Sequence, residues 1–252
     1  MGAIMPFQSR SRLPSLRDDP AVRAAALLLV LILLVGCGGG GDDSLAVFAA
    51  ASLTEVFPAL DGDARYTFGG SDQLAAQIRA GAPADVFASA SPKYPAELFA
   101  AGLAGRPRVF ATNRLVVIVR RGYSGELSSL ADRGVKLVLA SEGVPVGDYA
   151  REALARLGLS KALANVVSQE HDVKAVVAKV ALAEADAAIV YATDVKPVAD
   201  KVRVLDVPDE AQPRIECAVT VVRKSEAAEA FVAHLLSPAG QAVLKQAGFG
   251  PP

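Results

Sequence analysis

The sequence predicts an α/β fold in two lobes, each a mainly parallel sheet flanked by helices, with two crossover strands joining the lobes. Three observations carry this. Strand-like and helix-like segments alternate along almost the whole chain after residue 44, as they do where βα units lie side by side. The alternation comes in two series. Long apolar runs at 115–119 and 215–222 stand where the chain would pass from one series to the other and back.

In the first series, residues 45–51 read as a buried strand. Leu53, Val56, Phe57 and Leu60 recur at helical spacing, which predicts a helix over 53–60. A short strand at 65–68 is followed by a helix over 72–80 that Gly81 and Pro83 stop, a strand at 85–89, and a helix over 94–101 ending at Gly102. The strand at 115–119 leads into the second series. There the strand at 136–140 precedes a helix over 149–157 with Gly158 at its end, then a strand at 165–167, a helix over 173–183 and a strand at 187–191. Strands at 202–206 and 215–222 and helices over 226–235 and 238–246 close the chain. No internal repeat is visible. The expected division is lobe one at 45–112 and 218–252, and lobe two at 119–212.

Residues 1–36 stand apart. Arg10, Arg12, Arg17 and Arg23 precede the apolar run 24–35, which is shorter than the roughly 20 residues needed to span a bilayer as a helix. A basic flank, a short apolar core and small residues describe a secretory signal. Its end, Leu34-Val35-Gly36-Cys37, resembles the lipobox of bacterial lipoproteins, which implies lipidation of Cys37 and an extracytoplasmic, lipid-anchored protein. Residues 37–44, rich in glycine, read as a flexible tether. One lipid tail anchors only marginally, so multiple acylation matters here. Cys217 then has no partner and is expected to be a buried apolar thiol, not half of a disulfide.

The composition excludes several functions. Lys plus Arg total 26 against 27 Asp plus Glu, tryptophan is absent and aromatics are 6%. Neither a basic footprint for nucleic acid nor stacking platforms for bases or sugars are present. Residues 1–36 carry four Arg and two Asp, so the remaining chain holds 22 basic and 25 acidic residues and is mildly acidic.

Four strand-to-helix corners carry the functional signal. At the first, Ser52-Leu-Thr-Glu55 fits a capping box, but free amides at a helix start also bind anions. At the second, Gly69 and Gly70 permit close backbone approach ahead of Ser71. In the second series, residues 144–147 (VPVG) precede one helix, and Glu170-His171-Asp172 precede another, with Asp172 reading as an ordinary N-cap. Tyr191 ends a strand with a phenol that can donate one hydrogen bond. Lys174 is the one cationic residue near these corners.

These residues resemble the periplasmic molybdate-binding proteins, the substrate-capturing components of molybdate ABC importers. The motifs are residues 47–53 (VFAAASL), Gly70-Ser71, 80–87 (AGAPADVF), 144–154 (VPVGDYAREAL), Asp172-Val173 and 189–191 (IVY), in the family's order over about 45–250. The resemblance implies a type II periplasmic-binding-protein (Venus-flytrap) architecture that closes over a tetrahedral oxyanion, with molybdate or tungstate as ligand and no cofactor. Molybdenum would be bound as the oxyanion, without direct cation ligands. By motif, the anion falls to the hydroxyls of Ser52, Ser71 and Tyr191 and the amides of Val146 and Val173. The partners implied are a permease and, through it, its ATPase, with the protein itself monomeric. Asp72 departs from the family, and its carboxylate must point away from an anion.

Two rivals stand beside this reading. One is a binding protein for another tetrahedral oxyanion, sulfate or phosphate; a protonated phosphate needs an acceptor in the site. The other is a two-lobed α/β enzyme or ligand-sensing domain. The chain offers it only His171 and His234, neither with a nearby Ser-x-Gly elbow or a metal-ligand pattern such as His-x-x-x-His, so an enzyme is not expected.

Overall fold

The computed structural model describes residues 44–252. The apolar run Ala46–Ala50 forms strand β1, buried along its whole length, as suits a strand covered on both faces. β2 (Arg65–Gly69) and β3 (Val86–Ser89) lie parallel to it on either side. β10 (Ile215–Val221) pairs antiparallel with β3 and with β4 (Arg108–Asn113), completing a sheet of order β2-β1-β3-β10-β4.

The second sheet repeats this plan in the order β7-β6-β8-β5-β9. β6 (Leu137–Ala140) is parallel to β7 (Val166–Glu170) and β8 (Ala187–Tyr191). β5 (Leu115–Arg120) is antiparallel to β8 and to β9 (Val202–Asp206). Each sheet with its helices is called a lobe below.

The two-lobed α/β architecture with mainly parallel sheets matches the expectation, though each sheet is mixed: four strands share one direction, and β10 in the first sheet and β5 in the second oppose them. The crossings explain this. β5 and β10 are each the first strand after the chain changes sheet. Both enter from the side where the βα strands end, so they run against those strands.

Helices α1 (Ser71–Arg79) and α2 (Lys93–Ala100) pack on the first sheet through Leu74, Ile78 and Leu98 against Phe48 and Phe87. α3 (Pro145–Arg156) and α4 (Val173–Ala181) cover the second sheet. α5 (Glu226–Leu236) packs on β10, and α6 (Pro238–Gln246) packs on α5. Phe57 anchors the first lobe, meeting the rings of Tyr66, Phe110 and Phe231. Cys217 is a buried free thiol.

The expected helix over 53–60 does not form. Two short 3-10 turns, Ala51–Leu53 and Phe57–Ala59, stand in its place. Pro58 lacks the N–H that an α-helix needs there and disfavours helical geometry at Phe57. α3 begins four residues earlier than expected because Pro145 occupies its first position, where the missing N–H is no loss. β4 was not expected at all. Its residues, RVFATN, alternate only briefly between polar ends.

Candidate ligand-binding site

The site lies where the parallel strands end. β1 runs out at Ala50, β2 at Gly69, β3 at Ser89, β6 at Ala140, β7 at Glu170 and β8 at Tyr191. Their carboxyl ends from both sheets converge on one cavity, the general position for ligands in α/β sheets. Its lining includes Ser52, Gly70, Ser71 and Ala90 from the first lobe and Val146, Asp172, Val173 and Tyr191 from the second. All five expected ligand residues therefore meet. The centre of a water-sized sphere can occupy about 10 Å³ of this cavity, so only a small group has room between the lobes.

Each hydroxyl is placed to donate. The Ser52 and Tyr191 oxygens are buried and have no hydrogen-bond partner among the described residues. Ser71 Oγ accepts from the Ala90 amide at 3.1 Å, which leaves its own proton for another acceptor. The capping-box reading of Ser52 is overturned. The turn at Ala51–Leu53 has no side-chain cap, and it is Thr54 Oγ1 that bonds back, donating to the Ala51 carbonyl at 2.7 Å.

Backbone donors complete the set. The first amides of an α-helix have no intrahelical acceptor. Ser71 is the first residue of α1, Val173 the first of α4 and Val146 the second of α3. Neither α1 nor α3 has a side-chain cap. Asp172 caps α4 as expected, but its Oδ1 accepts only from Ala175, at 2.9 Å, and leaves the Val173 amide unclaimed. The expected four α-helix starts are thus three, plus one 3-10 turn.

Among the described residues, no Lys or Arg lines the cavity. Lys174 is engaged elsewhere, its Nζ 3.4 Å from Glu55 Oε1 and 3.4 Å from Asp194 Oδ1. Asp72 is not part of the lining; its buried Oδ1 has no partner and lies beside Gly70. His171 is exposed and contributes no lining atom. Only its carbonyl comes near, 2.4 Å from where a Cβ on Gly70 would stand.

Burial, above all, pushes the Tyr191 phenol well above its ordinary value, with Cys217, Tyr149 and Asp194 adding to it. The phenol therefore remains a donor. Asp194, on the turn that follows Tyr191, is also buried. Burial raises its carboxyl to about 6, an effect that Lys174 partly offsets. Sequence reasoning missed two residues here. The Ala90 amide carries no side-chain signal, and Asp194 reads as an ordinary turn aspartate.

A family model described as bacterial extracellular solute-binding protein matches residues 45–250. The chain is 35% identical over 225 residues to the molybdate-binding protein ModA of Mycobacterium bovis, covering 83% of this chain and 85% of the relative. The chain belongs to the ModA family of bacterial extracellular solute-binding proteins. That is a family of binding proteins and not of enzymes. Among solved structures, the periplasmic molybdate-binding protein of Azotobacter vinelandii is similar at 25% identity and a TM-score of 0.73, over 83% of this chain and all of that one. The sulfate-binding protein SubI of Mycobacterium tuberculosis shares the fold at 18% identity and a TM-score of 0.71, over 82% of this chain and 86% of that one. Fold alone therefore does not choose the anion.

Proposed function

We propose that the protein captures molybdate, and tungstate with it, between its lobes outside the cytoplasm. It then delivers the anion to the permease of an ABC importer and through it to the ATPase. The observation that carries this reading is the convergence of Ser52, Ser71 and Tyr191 hydroxyls with helix-start amides on a cavity without a cationic side chain. A helix N-terminus is equivalent to about half a positive charge. Three of them and a 3-10 turn offset much of a dianion's charge, and fixed amides need no reorganisation as the ligand enters.

In this reading Ser52, Ser71 and Tyr191 donate through oxygen, and Val146 and Val173 through their amides. Lobe one comprises residues 45–112 and 218–252, lobe two 119–212, and the protein works as a monomer. Phosphate is the rival to test, because its remaining proton needs an acceptor and Asp172 lines the cavity with only its Oδ1 engaged, accepting from Ala175. Calorimetric titration of the purified protein with molybdate, tungstate, sulfate and phosphate tests the proposal. Molybdate and tungstate should bind far more tightly than the other two; sulfate or phosphate binding as tightly would overturn it.

We also propose that residues 1–36 are a signal peptide and 37–44 a tether, and that lipid on Cys37 anchors the protein to the cell membrane. These residues up to 43 lie outside the described part of the chain. Cys37→Ala should move the protein from the membrane fraction to the soluble one without changing its affinity. A processed variant that stayed in the membrane would sink the anchor.

A further inference from the structure

Among the described residues several polar contacts span the lobes, and they are unequal; one is a side-chain hydrogen bond between Tyr149 of α3 and Ser91. Asn113 Nδ2 donates to Thr193 Oγ1 at 2.9 Å, beside the point where β4 hands over to β5, so this bond lies at the hinge. Lys174 and Glu55 pair at 3.4 Å, with side chains 28% and 58% exposed, and water and salt screen such a pair. A further contact is part-buried and pins a turn. Tyr94, in the first turn of α2, is 6% exposed and donates its hydroxyl to the carbonyl of Gly143 in the second lobe.

Gly143 does not sit in an arbitrary loop. The Val144 amide bonds to the Ser141 carbonyl at 3.2 Å, and Gly143 has φ +88°. These are the marks of a type II turn, whose third position requires positive φ. Its own N–H donates to Asp148 Oδ1 at 2.8 Å. The peptide groups around Gly143 are therefore held from both sides, by α3 of their own lobe and by Tyr94 of the other. Two residues after the turn comes Val146, which lines the cavity.

From this geometry we infer that Tyr94 is a closure latch: its hydroxyl holds the Gly143 turn, and with it the Val146 amide, against the first lobe while the ligand is bound. The inference rests on the oxyanion-binding reading above. Tyr94 does not line the cavity and touches no ligand; it is a positioning residue. A bond formed only after the lobes meet adds nothing to encounter, so it acts on release. Burial, with the nearby charges of Asp72, Asp148 and Glu97, pushes the Tyr94 phenol up to about 12, so the latch stays protonated across the neutral range.

Stopped-flow binding of molybdate to wild type, Tyr94→Phe and Tyr123→Phe tests this. Tyr123 is the control, since its hydroxyl is buried without a hydrogen-bond partner among the described residues and does not line the cavity. In Tyr94→Phe, dissociation should quicken by about three- to tenfold, the scale of one lost hydrogen bond, with the association rate within about twofold. Tyr123→Phe should change neither. Equal dissociation rates in wild type and Tyr94→Phe, or a loss carried by association, would overturn the latch.

A second measurement does not depend on kinetics. Leu103 and Leu182 are exposed on opposite lobes, whereas Cys217 is buried. Spin labels on Leu103→Cys and Leu182→Cys in the full-length Cys37→Ala protein report lobe separation. With saturating molybdate, Tyr94→Phe should broaden the distances toward longer values, and an unchanged distribution counts against the latch. If wild type binds none of the four oxyanions, the functional reading fails by itself. The label distances of the ligand-free proteins then decide the latch by the same criterion.

Discussion

Ser71 Oγ accepts the Ala90 amide proton at 3.1 Å, a bond between the start of α1 and the end of β3. It orients the serine as a donor before any ligand arrives, because an oxygen already serving as acceptor turns its own proton elsewhere. Ser52 and Tyr191 reach the same end differently, by lacking any partner among the described residues.

The three hydroxyls should therefore respond differently to deletion. Ser52→Ala, Ser71→Ala and Tyr191→Phe should each weaken molybdate binding by about 1.5–3 kcal/mol, the range for a hydrogen bond to a charged group. Ser71→Ala should also lower the melting temperature, since it strands the buried Ala90 amide. Thr54→Ala, which removes only a local bond to Ala51, should leave affinity unchanged. Calorimetry and thermal melts on the four variants read both quantities. Unchanged affinity in Ser52→Ala would remove Ser52 from the site.

Gly70→Ala should separate folding from closure. Gly70 has φ −62° and ψ 134°, which alanine adopts without strain. Its Cβ would nonetheless stand 2.4 Å from the His171 carbonyl across the cleft. The variant should melt within a few degrees of wild type yet bind molybdate about a hundredfold or more weakly, because its binding-competent closed state is depopulated. Near-normal affinity would show that the cleft can close without that approach.

Asp194 makes stability depend on pH. Its folded-state carboxyl is raised to about 6 from an ordinary 3.8, so between these values the folded protein holds a proton that the unfolded chain has released. Stability is greatest below the ordinary value and falls as pH rises toward the folded one. The loss is on the order of 3 kcal/mol at most, and Lys174 limits it. Asp194→Asn should flatten this part of the profile in denaturant titrations at about pH 4 to 7. An unaltered slope would assign the dependence to other groups.

Binding, by contrast, should be nearly independent of pH from about 7 to 8.5. Amides and serine hydroxyls do not titrate there, and the Tyr191 phenol is held protonated far above that range. Histidine is the side chain that ordinarily changes charge closest to this window, and His171 is exposed outside the lining. His171→Gln should leave the profile unchanged. An affinity drop of tenfold or more across the window, cured by that substitution, would make His171 a ligand.

Much of this was legible in the sequence, for identifiable reasons. Helix starts announce themselves through glycine, proline and capping residues, so the corners ahead of α1, α3 and α4 could be placed, although α3 begins four residues before the helix expected there and the choice of Val146 and Val173 came from the family resemblance. Tyr191 was marked by the family resemblance, since a strand-end tyrosine alone reads as packing. The helix misread at 53–60 arose from trusting apolar spacing over Pro58, although a single proline is enough to break the hydrogen-bond ladder. The partners of these residues stayed hidden because they are far away in the chain. The Tyr94 contact joins residues 49 positions apart in different lobes, and no periodicity encodes such a meeting.

The Val146 and Val173 amides have a consequence for how this protein can drift. In the proposed site each offers the ligand only what every residue but proline possesses, so the recognising atom is independent of the genetic letter at that position. A saturation mutagenesis survey should find both codons permissive toward side chains of similar bulk and intolerant of proline, while Ser52, Ser71 and Tyr191 admit almost nothing. Two of the five donors of the proposed site are then silent to any comparison that scores residue identity, and lineages can diverge at those codons while the anion meets the same surface.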